Sequence, residues 1–392
     1  MDFELDQDQQ ALSGLAARIL SERATEARLK AVEAEAAAGG DGVDGELWSH
    51  LATAGLLSAP LSEASGGGGM GLAGAGAVLE EVGRRLAPVP YLDTVVLAGL
   101  GIERYGSDEL RAEHLGRIGD GRLVVAAALT EAQGDPRRPS TTAVEAGSGG
   151  SLVVTGEKIC VPAGLAAGAF LVPATLPDGT TCVALVESGQ AGVTVERQDT
   201  TSSRPQARVR FESVEVPGAA VLGTGRSNGS GKGSERGAVL DWVVEHATAG
   251  LCVQLAGCLD EALRLTAGYV KERKQFDRTL ASFQAVGQRA ADAYVDSLAV
   301  RLTAWQALWR LSVGLPAGDE VTIAKYWAAE AGQRVVHTCQ HLHGGVGMDR
   351  DYPIHRYFLL AKETDLLLGG AAPQLAELGR RIAASARIPA SA

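Results

Sequence analysis

Residues 340–348, QHLHGGVGM, carry a long helical pattern into a run of glycines. Because glycine has no Cβ, Gly344 and Gly345 permit positive φ and a close approach of a ligand to the backbone. Residues 273–277, RKQFD, place an arginine and a phenylalanine at the break between two long helical patterns. A guanidinium beside an aromatic ring can clamp a pyrophosphate and brace a ring. The same stretch also fits an ordinary helix end, where basic residues complement the dipole.

On either side of these stretches, the chain divides into regions with different hydrophobic patterns. Helical periodicity predicts an all-helical domain over 1–120. Short β-branched runs bounded by turn residues predict an antiparallel barrel or sandwich over 121–222. A glycine- and serine-rich loop is expected over 223–237, and long apolar stripes predict a helical bundle over 238–392. The expected fold class is α+β, in the order helical, β and helical.

The individual elements can be placed approximately. Strands are predicted at 123–126, 151–155, 170–172, 182–186, 193–196 and 207–211. The later helices are predicted at 238–273, 283–313, 319–343 and 373–384.

Composition excludes several classes of function. The formal charge is −11, with 36 basic and 47 acidic residues and no long basic run, which argues against nucleic acid. We find no run of 18 apolar residues and no apolar leader, so no membrane association is expected. Five cysteines without CxxC spacing are typical of reduced thiols. The sequence predicts a soluble, cytoplasmic protein.

A metal site is conceivable near the glycine run, because His337 and His341 are spaced i, i+4 and Cys339 lies between them. The glutamate of an HExxH motif and a third ligand at a set spacing are both missing. We therefore expect no metal there.

In combination, these patterns resemble the acyl-CoA dehydrogenase family of flavoproteins. The resemblance covers nearly the whole chain and includes the family's Leu-Thr-Glu at 129–131, Gly-x-Lys at 156–158, Arg-x-x-Phe at 273–276 and its glycine motif at 340–353. It implies FAD as cofactor. The FAD-binding residues that it implies are Leu129, Thr130, Arg273, Phe276, Gln284, His341, Gly344 and Gly345.

The resemblance also implies a reaction, the α,β-dehydrogenation of an acyl-CoA thioester. A glutamate removes the α-proton, FAD takes the β-hydrogen as hydride, and electron-transfer flavoprotein accepts the electrons. The family's Arg-x-x-Phe and following glutamine reach across a subunit interface, so a homo- or hetero-tetramer with a related subunit is implied.

This chain departs from the family at the catalytic base. Ungapped counting from Arg273 and the paired glycines puts the usual glutamate at Leu368. The position of the base in relatives that carry it on the earlier helix falls on Ala247. Neither side chain can accept a proton, and Glu245 and His246 are weak candidates nearby. The catalytic base is thus unassigned.

The residues on the flavin-ring side also differ from the family, with Cys160 and Pro162 at the places of a tryptophan and a threonine. Residues 344–370 look more like the actinobacterial steroid side-chain dehydrogenases, which are α₂β₂ heterotetramers with one base-lacking subunit. This resemblance suggests that the chain is such a base-lacking partner. The alternatives are a flavin-free scaffold or acyl-thioester binder of the same fold, and a dehydrogenase acting on a carrier-protein thioester.

Overall fold

A computed structural model describes residues 5–147, 150–224 and 234–385. By internal contacts it separates into two compact units. The N-terminal unit comprises Leu5–Val82 and Ala87–Ala247, and the C-terminal unit comprises Gly83–Leu86 and the described residues from Thr248 on. The expected bounds of the three domains stay a prediction. Residues 225–233 of the expected loop lie outside the described residues.

The first part of the chain is helical, as predicted. Its helices are α1 (Gln7–Arg23), α2 (Glu26–Ala37), α3 (Gly45–Thr53), α4 (Gly71–Arg84), α5 (Gly101–Tyr105) and α6 (Asp108–Gly119). Side chains at the N-caps fix where they begin. Thr25 Oγ1 accepts from Arg28 N, so a new helix starts after α1. Asp44 caps α3 and also receives two guanidinium hydrogen bonds from Arg28, each 2.8 Å long, which ties α2 to α3.

A further buried helix precedes α5, and the sequence patterns did not reveal it. Leu92–Leu100 forms a π-helix, and all but one of its residues are buried. Two nearby prolines and a run of apolar residues without helical periodicity concealed it. Thr94 Oγ1 bonds both the amide and the carbonyl of Val125, which fixes this helix to the first strand.

The middle of the chain forms one seven-stranded sheet. Its strands are β1 (Val125–Ala127), β2 (Thr142–Glu145), β3 (Leu152–Pro162), β4 (Ala169–Thr175), β5 (Thr181–Glu187), β6 (Val193–Gln198) and β7 (Gln206–Val216). The order is β1-β4-β2-β3-β7-β6, and β5 pairs with β4. Phe170 and Phe211 meet edge to face in its apolar core.

The predicted antiparallel pairing applies to β2–β3, β3–β7, β4–β5 and β6–β7. However, β1 and β2 pair with β4 in parallel, so the sheet is mixed. The chain leaves β1 through the long 128–141 segment, which gives it room to return in parallel. Strand β2 was missed, because it is short and mostly exposed.

The last part is again helical, as predicted. It contains α7 (Ser234–Glu272), α8 (Gln284–Ser312), α9 (Gly318–His343), α10 (Ile354–Leu366) and α11 (Ala371–Ser385). The sequence patterns missed α10. By length and hydropathy Arg236–Glu272 could cross a membrane, but 78% of its most apolar window is buried within the protein. That burial is typical of a core helix.

Candidate functional site

The C-terminal unit presents an exposed hairpin at the arginine motif. Strands β8 (Lys274–Gln275) and β9 (Arg278–Thr279) pair across a two-residue turn. Phe276 and Asp277 both have positive φ, +53° and +62°, as this tight turn requires. Phe276 is 87% exposed, although phenylalanine is usually buried. A tight turn thus places a large apolar ring in solvent.

The base of the hairpin carries a second aromatic group. The Arg278 guanidinium lies 3.9 Å from the centroid of the Phe283 ring, within cation–π range. Phe276 meets the same ring edge to face at 6.3 Å. Gln284 follows as the first residue of α8, and both it and Arg273 are exposed. The hairpin therefore displays cationic, amide and aromatic groups together.

The glycine motif forms a second exposed surface, where α9 ends. Gly344 has φ +59° and ψ −136°, a conformation that L residues rarely adopt. A Cβ added to Gly344 or Gly345 would meet no atom within 4 Å, so the space beside this backbone is open. His341 is also exposed. The turn can thus accept a planar or anionic group against its backbone.

A buried histidine joins these two surfaces. The His343 ring stacks on Tyr269 with centroids 4.5 Å apart, and its Nε2 accepts from Tyr352 Oη at 3.2 Å. Its Nδ1 donates to the Cys339 carbonyl, and burial lowers the pKa of His343, so the ring is neutral. The Tyr269 carbonyl accepts from Arg273 N. The hairpin and the glycine turn therefore lie at the same end of this unit.

Sequence reasoning had identified the ends of this arrangement but not its centre. Tyr269 lies one helical turn before Arg273, within an otherwise ordinary amphipathic pattern. His343 had no predicted role, because the metal and FAD interpretations used His341. The i, i+4 relation between Tyr269 and Arg273 was the one available signal, and it is common on helices.

In the N-terminal unit, Leu129 and Thr130 follow β1, and a buried ion pair anchors them. The carboxylate of Glu131 accepts from Lys158 Nζ at 2.7 Å and from the backbone and hydroxyl groups of Ser140 and Thr141. Although burial opposes ionisation, Lys158 and the other donors hold the pKa of Glu131 at about 2.

Burial also opposes the charged form of Lys158, because it lowers the pKa of the ammonium group. We treat both Glu131 and Lys158 as ionised, because the carboxylate accepts from five donors. A neutral lysine would leave the negative charge of Glu131 in the interior without a compensating cation. This network fixes the backbone from which the Thr130 side chain emerges.

The surroundings of Thr130 differ from the family pattern, as the sequence indicated. Thr130 is half-buried, and its carbonyl accepts from Ile159 N at 2.9 Å. Cys160 follows with φ +50°, and its amide donates to Gln198 Oε1. At these places the chain offers a thiol and, two residues later, Pro162, which has no side-chain donor. An aromatic ring and a hydroxyl that could face a flavin are therefore missing.

Leu368 occupies a tight turn between α10 and α11. It has φ +56°, and its carbonyl accepts from Gln374 Nε2 at 3.0 Å. Buried Lys325 donates to the carbonyls of Thr364 and Asp365, which holds the last turn of α10 just before it. Hydrogen bonds thus hold the backbone at this position, but its side chain has no titratable atom.

The alternative base position is buried and directly follows a histidine that stacks on a tryptophan. Ala247 is 2% exposed. The preceding His246 stacks on Trp242 with ring centroids 3.8 Å apart, and its Nδ1 donates to the Trp242 carbonyl. Trp242 in turn contacts Tyr105 edge to face and fills the space beside Gly101. Burial lowers the pKa of His246 to about 3, so it is a very weak base at neutral pH.

The other weak candidate, Glu245, lies on a different side of α7. It is half-buried and follows Asp241 by one turn. Asp241 is 64% exposed and pairs with Arg137 at 3.5 Å. Because Glu245 and Ala247 are two residues apart, their side chains point about 200° apart on the helix. Glu245 therefore does not replace a base at Ala247.

Comparison with known proteins assigns the chain to a family. The profile "Acyl-CoA dehydrogenase, N-terminal domain" matches residues 6–122, and "Acyl-CoA dehydrogenase, C-terminal domain" matches 236–383. The chain is 40% identical over 348 residues to acyl-CoA dehydrogenase FadE27 of Mycobacterium tuberculosis, covering 87% of this chain and 88% of that protein.

Two solved structures are similar over essentially the full length. One is a variant of the Tcur3481-Tcur3483 steroid ACAD, with TM-score 0.89 and 39% identity over 98% of this chain and 100% of that one. The other is the ChsE4-ChsE5 complex from Mycobacterium tuberculosis, with TM-score 0.88, 38% identity and full coverage of both chains. Because a close relative spans most of its length and both terminal profiles match, the chain belongs to the acyl-CoA dehydrogenase family of oxidoreductases.

Proposed function

We propose that this chain is the base-lacking subunit of a hetero-oligomeric acyl-CoA dehydrogenase. A related subunit supplies the carboxylate that removes the α-proton of an acyl-CoA thioester. This chain contributes residues that hold the FAD of that subunit. FAD supplies hydride acceptance from the β-carbon, and electron-transfer flavoprotein is the expected electron acceptor.

The observation that carries the proposal is a contrast within the expected site: the residues for contact with a neighbouring subunit are retained, but the catalytic base is not. The residues expected to reach a neighbouring subunit are present and exposed, namely Arg273, Phe276 and Gln284. The two base positions hold Leu368 and Ala247. A chain that exposes these FAD-contacting residues but has no proton acceptor at either base position can contribute to the active site of another subunit. It cannot complete an active site of its own.

The exposed surface of the C-terminal unit fits the phosphate-bearing part of FAD. Arg273 can form paired hydrogen bonds with a pyrophosphate, and the open backbone at Gly344 and Gly345 admits a ligand. Phe276 can pack on a ring system. In a lone chain this ring lies in water, so its burial by an assembled partner would be favourable by about 2 kcal/mol.

The N-terminal unit fits the flavin ring less well. Thr130 can still donate to a heterocycle edge, but Cys160 and Pro162 provide neither the stacking ring nor the hydroxyl. His246, next to Ala247, stacks on Trp242 and has its pKa lowered to about 3 by burial. These differences support a flavin located mainly on the related subunit, with this chain clamping it from outside.

The similar structures support a two-chain assembly. Both consist of a named pair of proteins, and one of them is a steroid acyl-CoA dehydrogenase. From these proteins we extend to this chain an assembly with a second, related subunit and a bulky, steroid-like acyl group as substrate class.

The test is to purify the chain alone and together with a co-expressed homologue that carries the glutamate. We expect the lone chain to be colourless and inactive with acyl-CoA. The complex should contain one FAD for each pair of unlike chains and should reduce an electron acceptor.

Stoichiometric FAD and turnover by the lone chain would refute the proposal. An assembled but colourless and inactive complex would instead favour a flavin-free scaffold or acyl-thioester binder. Parallel assays with CoA and carrier-protein thioesters identify the substrate carrier.

A further inference from the structure

We propose that Glu113, His114 and Glu187 form a divalent-metal site, with zinc as the preferred ion. Each offers one ligand atom, and these three atoms lie within 4.8 Å of one another. The residues come from α6 and from the last position of β5, both in the N-terminal unit. Adjacent helix residues and a strand end 73 positions away thus converge only through folding.

The histidine ring is buried and bonded to its own helix. His114 is 4% exposed, and its Nδ1 lies 3.1 Å from the Leu110 carbonyl. Because a carbonyl only accepts, Nδ1 carries the proton and the lone pair is on Nε2. Metal-binding histidines usually fix their tautomer through such a bond.

Other histidines of the chain make the same bond to their own helix, so this bond alone does not identify a ligand. In His343, however, Nε2 accepts from Tyr352. For His114, no residue within 5–147, 150–224 or 234–385 forms a hydrogen bond to Nε2. The Nε2 lone pair of this ring is therefore not taken up by another described residue.

The carboxylates have no competing cation. Across the described ranges, neither Glu113 nor Glu187 has a lysine or arginine within 4.0 Å, and the one ionic contact is Glu113 Oε2 to His114 Nδ1 at 4.0 Å. Two carboxylates held close together repel each other, and a divalent ion would neutralise both. The site therefore has the charge that Zn²⁺ requires.

Modest side-chain movement completes the geometry. Zinc bonds of about 2.0–2.2 Å to nitrogen and oxygen place tetrahedral ligands about 3.4 Å apart. Both glutamates are exposed and can rotate, whereas the buried imidazole stays in place. Imidazole with carboxylates favours zinc over calcium or magnesium, which prefer oxygen ligands alone. Bound zinc would tie α6 to the end of β5.

The experiment uses the full-length chain, freed of metal by chelation and desalted, then titrated with Zn²⁺ by calorimetry. We expect one ion per chain, a higher melting temperature with zinc, and visible d–d absorption when Co²⁺ is substituted. Glu187→Gln and Glu113→Gln should each raise the dissociation constant at least tenfold. Both positions are exposed, so these variants should fold.

Two controls separate this site from adventitious binding. Glu109→Gln changes an exposed carboxylate one turn earlier on α6 and should leave the affinity unchanged. The double variant His337→Gln, His341→Gln removes an i, i+4 histidine pair elsewhere in the chain and should also retain one zinc. Absence of stoichiometric binding by the wild type, unchanged affinity in Glu187→Gln, or loss of zinc in the double variant would each overturn the proposal.

Discussion

Replacing Glu131 by glutamine tests the buried ion pair that anchors the proposed flavin edge. The substitution keeps the shape of the side chain and removes its charge. The Lys158 ammonium, which is 0% exposed, then loses its only carboxylate partner within 4.0 Å among the described residues. The four donor groups of Ser140 and Thr141 also lose one acceptor, because one carboxylate oxygen is replaced by an NH₂ group that donates and does not accept.

Two lines of reasoning give a similar magnitude. Removing one partner of a buried ion pair costs about 3–5 kcal/mol, because the other charge remains in the interior. Lowering the pKa of Glu131 from 4.5 to about 2 corresponds to about 3 kcal/mol of preference for the charged form. We therefore expect Glu131→Gln to lower the free energy of unfolding by about 3 kcal/mol at pH 7.

The pH dependence has a definite sign. The folded-state pKa of Glu131 is depressed, so its stabilisation is complete above 4.5 and disappears as the pH falls through about 2. Glutamine has no such dependence. The difference in unfolding free energy between wild type and variant should therefore shrink as the pH falls from 4.5 towards 2.

The assay is urea unfolding followed by circular dichroism at several pH values. The matched control is Glu157→Gln on the same sheet, whose carboxylate is 38% exposed and pairs with Arg210 at 3.2 Å. A surface pair of this kind contributes at most about 1 kcal/mol. A loss at Glu131 no larger than that of the control, or one independent of pH, would show that the pair is not ionised in the folded protein.

Three further predictions concern the C-terminal unit. In the assembled complex, Arg273→Ala should cause FAD loss on dialysis, whereas Lys271→Ala should retain it; equal flavin content in both would exclude the pyrophosphate clamp. His343→Ala removes a ring stack and two hydrogen bonds, so it should lower the free energy of unfolding by about 2–3 kcal/mol, measured by thermal unfolding. The exposed control His341→Ala should lower it by less than about 0.5 kcal/mol. Leu368→Glu in the lone chain should yield no dehydrogenation in a dye-reduction assay, because a base alone does not supply the flavin site; turnover would contradict this.

Local patterns were sufficient where a segment's structure depends on its own residues. The long helices and most strands followed from periodicity, because an amphipathic helix or a half-buried strand needs only the right spacing of apolar residues. The pattern failed at Leu92–Leu100, which is buried on nearly every side and so has no polar face to reveal its period. It failed at β2 because four residues, mostly exposed, carry little signal.

Those features of the proposed site that depend on local residues could also be predicted from the sequence. The motifs around Arg273 and Gly344 were recognisable, because backbone conformation and charge at a turn are local properties. The absence of an acid at Leu368 and Ala247 also followed from counting residues. None of this required contacts between distant parts of the chain.

Tertiary structure decided which of those residues can act. His246 was a candidate base by position, but stacking on Trp242 and burial reduce its pKa to about 3. His343 was an ordinary member of a glycine motif until its contacts with Tyr269 and Tyr352 were seen. The sequence alone determined the order of elements and the presence of leucine and alanine at positions 368 and 247, because those depend on residue identity and spacing. Protonation, tautomer and the meeting of Glu187 with His114 depend on which groups folding brings together and removes from water.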